Sequence, residues 1–192
     1  MHREADLIAF EKRVADAFQA QRIKGPIHLS GGNEQQLIDI FRNVDPQDWV
    51  FASYRNHYAA LLHGIDEEWL FEEILAGRSM SIHSPEHHFY SSAIVGGCLP
   101  IAVGVAAALK RQGSARKVWC FVGDMAATTG AFLEATVYAR GQCLPITFIV
   151  ECNGMSCDTP TILTWGYGEE EDVRTYVYER TYPHSGIGKY VF

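Results

Sequence analysis

KVWCFVGDMAATTGAFLEATVYARGQCLPITFIVECN, residues 117–153, alternates an apolar run, a helical pattern and a second apolar run. Lys117 to Val122 is short and almost wholly apolar, the signature of a strand buried on both faces. A helix is predicted from about Thr129 to Arg140, stopped by Gly141, and Pro145 to Glu151 reads as the next strand. Two strands joined by one helix pair in parallel with a right-handed crossover. In an open parallel sheet, ligands sit beyond the carboxyl ends of the strands. Here those positions are Gly123-Asp124 and Cys152-Asn153, and the oxygens of Asp124 and Asn153 can share a small hard cation such as Mg²⁺, with diphosphate oxygens completing its shell. The plainer alternative is that Asp124 caps the following helix. No G-x-x-x-x-G-K-[ST] and no G-x-G-x-x-G occurs, so neither of those phosphate-cradling loops is available.

Outward from this unit, residues 5–21 place Leu7, Ile8, Phe10, Val14, Ala17 and Phe18 on one helical stripe, with Glu11, Lys12, Arg13 and Asp16 elsewhere. A second helical pattern, Leu37, Ile38, Ile40 and Phe41, follows Gly31-Gly32 and stops before Asp45-Pro46. A third runs from an Asp66 N-cap to Gly77. Residues 78–92 are polar, rich in His and Ser and without periodicity, and read as a loop. Within them His83, Glu86 and His87 match the H-x-x-E-H zinc pattern, which Pro85 disfavours by breaking the helix it needs. The Gly/Ala-rich stretch 95–112 reads as a buried or interface helix, and 173–178 as one more strand.

At 192 residues the chain is read as one domain: a helical segment to about residue 50, a core of about 51–158, and a shortened C-terminal part, 159–192. A net charge of -7 with no basic block excludes the footprint of a nucleic-acid binder. Mean hydropathy of -0.07 and the lack of a long apolar run argue against a membrane span. Five widely spaced cysteines, mostly in apolar runs, read as reduced thiols, and the N-terminus lacks a signal-peptide pattern. A cytoplasmic location is expected.

Residues 123–153 resemble the thiamine-diphosphate motif, Gly-Asp-Gly followed later by Asn-Asn, as used by alpha subunits of 2-oxo acid dehydrogenase first components of the pyruvate and branched-chain types. SYRNHYAALLHG at 53–64 is similar to that family's Tyr-Arg-x-His segment, GRSMSIH at 77–83 to its Ser-Met-His loop, and FYSSAIVGGCLPIAVGVAAALK at 89–110 to the start of its glycine-rich helix. ERTYPHSG resembles its Thr-Tyr-Arg-x-x-Gly-His-Ser segment, shortened.

The resemblance implies an α/β fold, a parallel sheet with helices on both faces that binds the cofactor diphosphate. It implies Mg²⁺ on Asp124, Asn153 and the Met155 carbonyl, and diphosphate on Arg55 and Tyr54 with Gly123, Met125 and Ala126 alongside. Ala93 and Val95 would hold the aminopyrimidine through backbone groups, and His57, His83 and His184 match active-site histidines. It further implies a decarboxylating enzyme acting on a small 2-oxo acid. A beta-type subunit would supply the pyrimidine domain and its glutamate, in an α₂β₂ hetero-oligomer that could serve a lipoyl domain. Rival readings are a split transketolase-type or carboligase subunit, and a non-catalytic remnant that binds a partner. The departures are Met125 for the last Gly of Gly-Asp-Gly, Cys152 for the first Asn of Asn-Asn, Ala93 where Gly is usual, and a stretch 165–173 that bypasses a helix–strand unit of the family.

Overall fold

A computed structural model describes residues 2–165 and 173–188. It begins with α1 (Glu4–Gln19), which buries Leu7, Phe10, Val14 and Ala17 as the stripe predicts. Two positions differ: Glu11 is buried on the same face, and Ile8 is 46% exposed. Glu11 tolerates burial because its carboxylate accepts from the Ser30 amide and faces His57 Nδ1 at 2.8 Å. α2 (Glu34–Phe41) follows, then β1 (Trp49–Ala52) and α3 (His57–Leu62). The sequence reading assigned no strand to WVFA, four residues too short to show a period. α4 (Glu67–Leu75) starts at Asp66, whose carboxylate accepts from the Trp69 amide at 2.9 Å. It stops at Gly77, where φ is +85° and a Cβ would lie 2.8 Å from the Lys24 carbonyl oxygen, so only glycine fits.

The segment expected to be a loop carries β2 (His83–Ser84) and β3 (Phe89–Ser91), an antiparallel pair whose second member enters the main sheet. α5 (Cys98–Arg111) buries Cys98, Leu99, Ala102, Ala106 and Leu109, its small side chains letting the helix lie close to the sheet. β4 (Val118–Gly123), α6 (Asp124–Ala127), α7 (Gly130–Gly141) and β5 (Ile146–Cys152) form the strand–helix–strand unit, and β4 pairs with β5 in parallel as expected. A two-stranded ladder of β6 (Met155–Ser156) and β7 (Thr159–Pro160) precedes α8 (Thr161–Trp165), and β8 (Arg174–Val177) adds to β5 in parallel. The bypass expected at 165–173 falls largely on 166–172, outside the described residues.

The main sheet has the order β2-β3-β1-β4-β5-β8, all parallel except β2. Side chains of β4 alternate between two cores. Trp119 and Phe121 pack among α1 to α4, while Val118, Cys120 and Val122 pack with α5 and α7. Helices therefore cover both faces, and the strand reads as an unbroken apolar run for that reason. No helix among the described residues is long and apolar enough to cross a membrane. From β1 the chain passes to β3 on one side, then returns through α5 to β4 on the other, and this reversal opens a crevice at the carboxyl ends of β1 and β4.

At the opposite end of these strands, the buried Asp48 carboxylate accepts from the Lys117 amide at 2.7 Å and the Trp119 indole at 2.9 Å, pinning β1 to β4. Asp48→Ala leaves both donors without an acceptor and is expected to cost about 3 kcal/mol in urea unfolding. Asp39→Ala, which removes exposed contacts with Arg42 and Gln35, should cost less than about 0.5 kcal/mol. Equal, small losses would show that Asp48 does not hold the two strands.

Candidate functional site

The crevice is a cleft of about 90 Å³, lined by the segments that follow β1, β4 and β5, by the turn before α5, and by residues 178–184. Ten of the residues singled out in the sequence meet there: Tyr54, Arg55, Val95, Gly123, Asp124, Met125, Ala126, Asn153, Met155 and His184.

Asp124 opens α6 directly after β4. Its Oδ1 accepts from the Met125 amide at 2.9 Å, and the Cys152 thiol faces its Oδ2 at 3.7 Å. Burial pushes its carboxyl above the usual range, against the backbone donors that lower it. Asn153 follows β5: its Oδ1 accepts from the Met155 amide at 3.0 Å and its amide donates to Tyr178 Oη at 3.1 Å. Gly154 next to it has φ +70°, the left-handed turn that carries the chain back toward Met155. Among the described residues no group of three His, Cys, Asp or Glu side chains is placed to hold a metal. A cation here must take mixed oxygen donors: a carboxylate, an amide and a carbonyl.

The Arg55 guanidinium donates to the Leu29 carbonyl and, at 3.3 Å, to that of His184. Arg180 donates to the Cys157 carbonyl at 2.9 Å. Neither forms an ion pair with a carboxylate among the described residues. The cleft thus presents two guanidiniums that, among the described residues, are engaged by carbonyls and not by carboxylates, donors suited to an anion. His184 packs edge-on to Tyr54 at 5.8 Å and to the buried His28 at 4.8 Å. Burial, followed by the field of Arg55 and Arg180, lowers the His184 imidazole, so it stays neutral and able to accept a proton at one ring nitrogen. Met125 lies against α8, where its sulfur meets the Trp165 indole nitrogen at 2.7 Å.

Three residues lie off the cleft wall. His57 is fully buried, with Nδ1 on Glu11 and Nε2 3.0 Å from Ser79 Oγ. His83 is exposed on the edge strand β2, three strands away from β4. Ala93 is exposed and outside the lining. His83 lies on β2 and His87 ends the short 3-10 turn Pro85–His87, with His87 Nδ1 held 2.8 Å from Ser84 Oγ, so no continuous helix presents them as a zinc pair.

The sequence reading missed Glu151, Tyr178, Arg180 and Cys98, all on the wall. Glu151 ends an apolar strand, a charge out of character with its run and the one available signal. Its carboxyl accepts from Tyr176 Oη at 2.5 Å, and that phenol accepts from Asn33 at 2.9 Å. Arg180 lies in the stretch whose likeness to a family segment is incomplete, and Tyr178 ends the strand-like run just before it, which hid their places.

A mostly parallel sheet with a polar cleft at its switch point, acidic and amide oxygens on adjacent strands and an arginine beside them, defines an α/β protein with a candidate ligand site. The sequence profile of the dehydrogenase E1 component matches residues 3–164, and the chain belongs to that family. It is 30% identical over 161 residues to the alpha subunit of the pyruvate dehydrogenase E1 component of Porphyra purpurea, covering 75% of this chain and 47% of that one. The corresponding subunit of Zymomonas mobilis is 30% identical over 161 residues, covering 78% and 46%. The alpha subunit of an acetoin:2,6-dichlorophenolindophenol oxidoreductase of Cupriavidus necator is 28% identical over 160 residues, covering 78% and 48%. The chain spans about half the length of the curated relatives it matches. A solved structure of a provisionally assigned thiamin diphosphate-dependent enzyme isolated from Mycobacterium smegmatis shares 20% identity at a TM-score of 0.46, over 71% of this chain and 24% of its own.

Burial pushes the Glu151 carboxyl up to about 7. A carboxyl held protonated in the folded chain above its unfolded range stabilises at low pH, and that contribution is lost as pH rises through about 7. Relative to Glu151→Gln, wild-type stability in urea should fall by on the order of 3 kcal/mol between about pH 4.5 and 8. A difference that stays flat with pH would mean that Glu151 ionises normally.

Proposed function

We propose that this chain is the diphosphate-binding alpha-type subunit of a thiamine-diphosphate- and Mg²⁺-dependent 2-oxo acid decarboxylase/dehydrogenase. The observation that carries this reading is the pairing, within one cleft, of a half-buried Asp124 carboxylate that has no cation partner among the described residues with an Arg55 guanidinium that has no carboxylate. A Mg²⁺ diphosphate complements both at once. The donors fit it: Asp124, Asn153 and the Met155 carbonyl are hard oxygens suited to Mg²⁺, and Arg55 offers forked N–H groups to phosphate. Gly123 and Ala126 leave the backbone open along the diphosphate, Tyr54 flanks it, and Ala93 and Val95 offer main-chain groups to the aminopyrimidine. When bound, thiamine diphosphate supplies the electron sink for loss of CO₂ from a 2-oxo acid.

The chain's own residues hold and orient. Neutral His184 on the cleft wall is the proposed proton-handling group. His57 acts from the core as a positioning residue for Arg55, two residues before it, and His83 on the sheet edge acts only in an assembled complex. Met125 lines the cleft, and its sulfur rests against the exposed Trp165 indole.

The cleft is well below the roughly 300–1,000 Å³ of a complete small-molecule site, and Ile94 and Val95 at its mouth are 72% and 60% exposed. Both features support a site completed by a beta-type subunit carrying the pyrimidine domain and glutamate, in an α₂β₂ assembly that works in the cytoplasm and passes its acyl group to a lipoyl domain. The acetoin-linked name of one relative keeps a carboligase-like or acetoin substrate open beside a 2-oxo acid. Met125, a side chain where the family uses Gly, favours one second reading: a subunit that keeps the fold and partner but not the cofactor.

Titration calorimetry of thiamine diphosphate with Mg²⁺ into the chain reconstituted with its beta-type partner tests these readings. Binding should be lost in Asp124→Ala and weakened tenfold or more in Arg55→Ala. Absence of binding by the wild type that Met125→Gly restores would establish the second reading. Binding unaffected by Asp124→Ala would overturn the assignment of the metal. In the same assay, a wild type that does bind should gain several-fold in affinity on Met125→Gly, because the side chain at 125 crowds the diphosphate's path.

A further inference from the structure

Two of the five cysteines are placed as a pair. Cys98, the first residue of α5, and Cys120, in the middle of β4, bring their sulfurs to 4.0 Å. Both are buried, but Cys98 also lines the cleft, so a small molecule that enters the cleft meets the pair from one side. The other three thiols are differently placed: Cys143 and Cys157 are exposed, and Cys152 faces the Asp124 carboxylate.

The geometry points to an oxidation site, in which a hydroperoxide entering through the cleft joins Cys98 and Cys120 in a disulfide that ties the start of α5 to β4. The contact between the two thiols holds Cys98 below its ordinary range, while the same contact and burial push Cys120 up. Its place at a helix N-terminus also favours a thiolate at Cys98. Cys98 is thus the attacking sulfur. Its thiolate attacks one peroxide oxygen; the S–O bond forms, the O–O bond breaks, and the departing alkoxide or hydroxide takes up a proton. Cys120 then attacks the sulfenic sulfur, the S–S bond forms, and the sulfenic oxygen leaves as water with the Cys120 proton. Two thiols lose two electrons, and the peroxide gains them.

Closing the pair requires the sulfurs to approach from 4.0 Å to bonding distance, about 2 Å. The backbone before Cys98 is built to give. Gly96 has φ +71°, and a Cβ on Gly97 would lie 2.8 Å from the Ile94 side chain, so both positions demand glycine and lack the side chains that would stiffen the turn. The bond would draw the Cys98 sulfur toward Cys120 in the middle of β4 and pull on the adjoining Val95 and Gly96, which line the cleft, changing its shape. The thiol pair needs neither cofactor nor partner subunit to react.

Tryptic mapping of the full chain separates the possibilities, because Cys98 falls in peptide 79–110, Cys120 in 118–140, and the other three cysteines together in 141–174. After hydrogen peroxide, alkylation in denaturant and digestion without reductant, peptides 79–110 and 118–140 are expected as one disulfide-linked species. Dithiothreitol should release them, with loss of those two thiols before reduction and full recovery after it. The linked species should be missing from Cys98→Ala, with Cys120 still alkylated. Separate recovery of both peptides with intact thiols, over-oxidation of Cys98 without a link, or a link from either peptide to 141–174 would each overturn the site.

Discussion

β1 and β4 lie side by side although β2, β3 and α5 separate them in the chain, and everything at the cleft follows from that pairing. With β4 between β1 and β5, the segments leaving three strands converge at one end: Arg55 after β1, Asp124 after β4, Asn153 after β5. Parallel pairing sends all three in the same direction, and α5 must cross the sheet to make it possible. The Gly/Ala composition of α5 is the physical condition for that crossing, since Ala102 and Ala106 let the helix axis lie close to β1 and β4.

A second layer of polar groups supports the cleft from the other face of the sheet. Glu11, His57 and Ser79 form a continuous buried chain that links α1, α3 and the segment after α4. Tyr58 donates to Glu34 at 3.0 Å, and a separate group of Asn33, Tyr176 and Glu151 reaches the cleft wall. Each of these groups is costly to bury alone and acceptable only in company. The N-terminal helices therefore do more than cover apolar surface: they supply partners that fix the segment on which Arg55 sits.

The β4–α7–β5 unit is legible in the sequence because its strands are doubly buried and its helix has a clear stop at Gly141. The α4 cap at Asp66 is equally plain. WVFA and FYS are not, since strands of four and three residues show no period and their identity comes from neighbours far away in the chain. Glu11 deceives for a related reason: its helical position is apolar by geometry, and only His57 and the Ser30 amide make a carboxylate tolerable there. At the cleft, residues directly after strands are recoverable from topology alone, which is why Asp124 and Asn153 could be named. Glu151, Tyr178 and Arg180 reach it through the β5–β8 pairing, which the sequence does not announce. His57 and His83 carry motif positions, but the fold turns one into the core and the other to an edge.

Asp48 holds β1 to β4 at the amino ends of the strands, while the cleft occupies their carboxyl ends. The sheet is thus polarised, with its fastening at one pole and its chemistry at the other. Exchanges such as Gly to Met at 125 or Asn to Cys at 152 fall at the second pole, far from the fastening. A chain built this way can lose, alter or regain ligand affinity over evolutionary time while keeping the same folded frame.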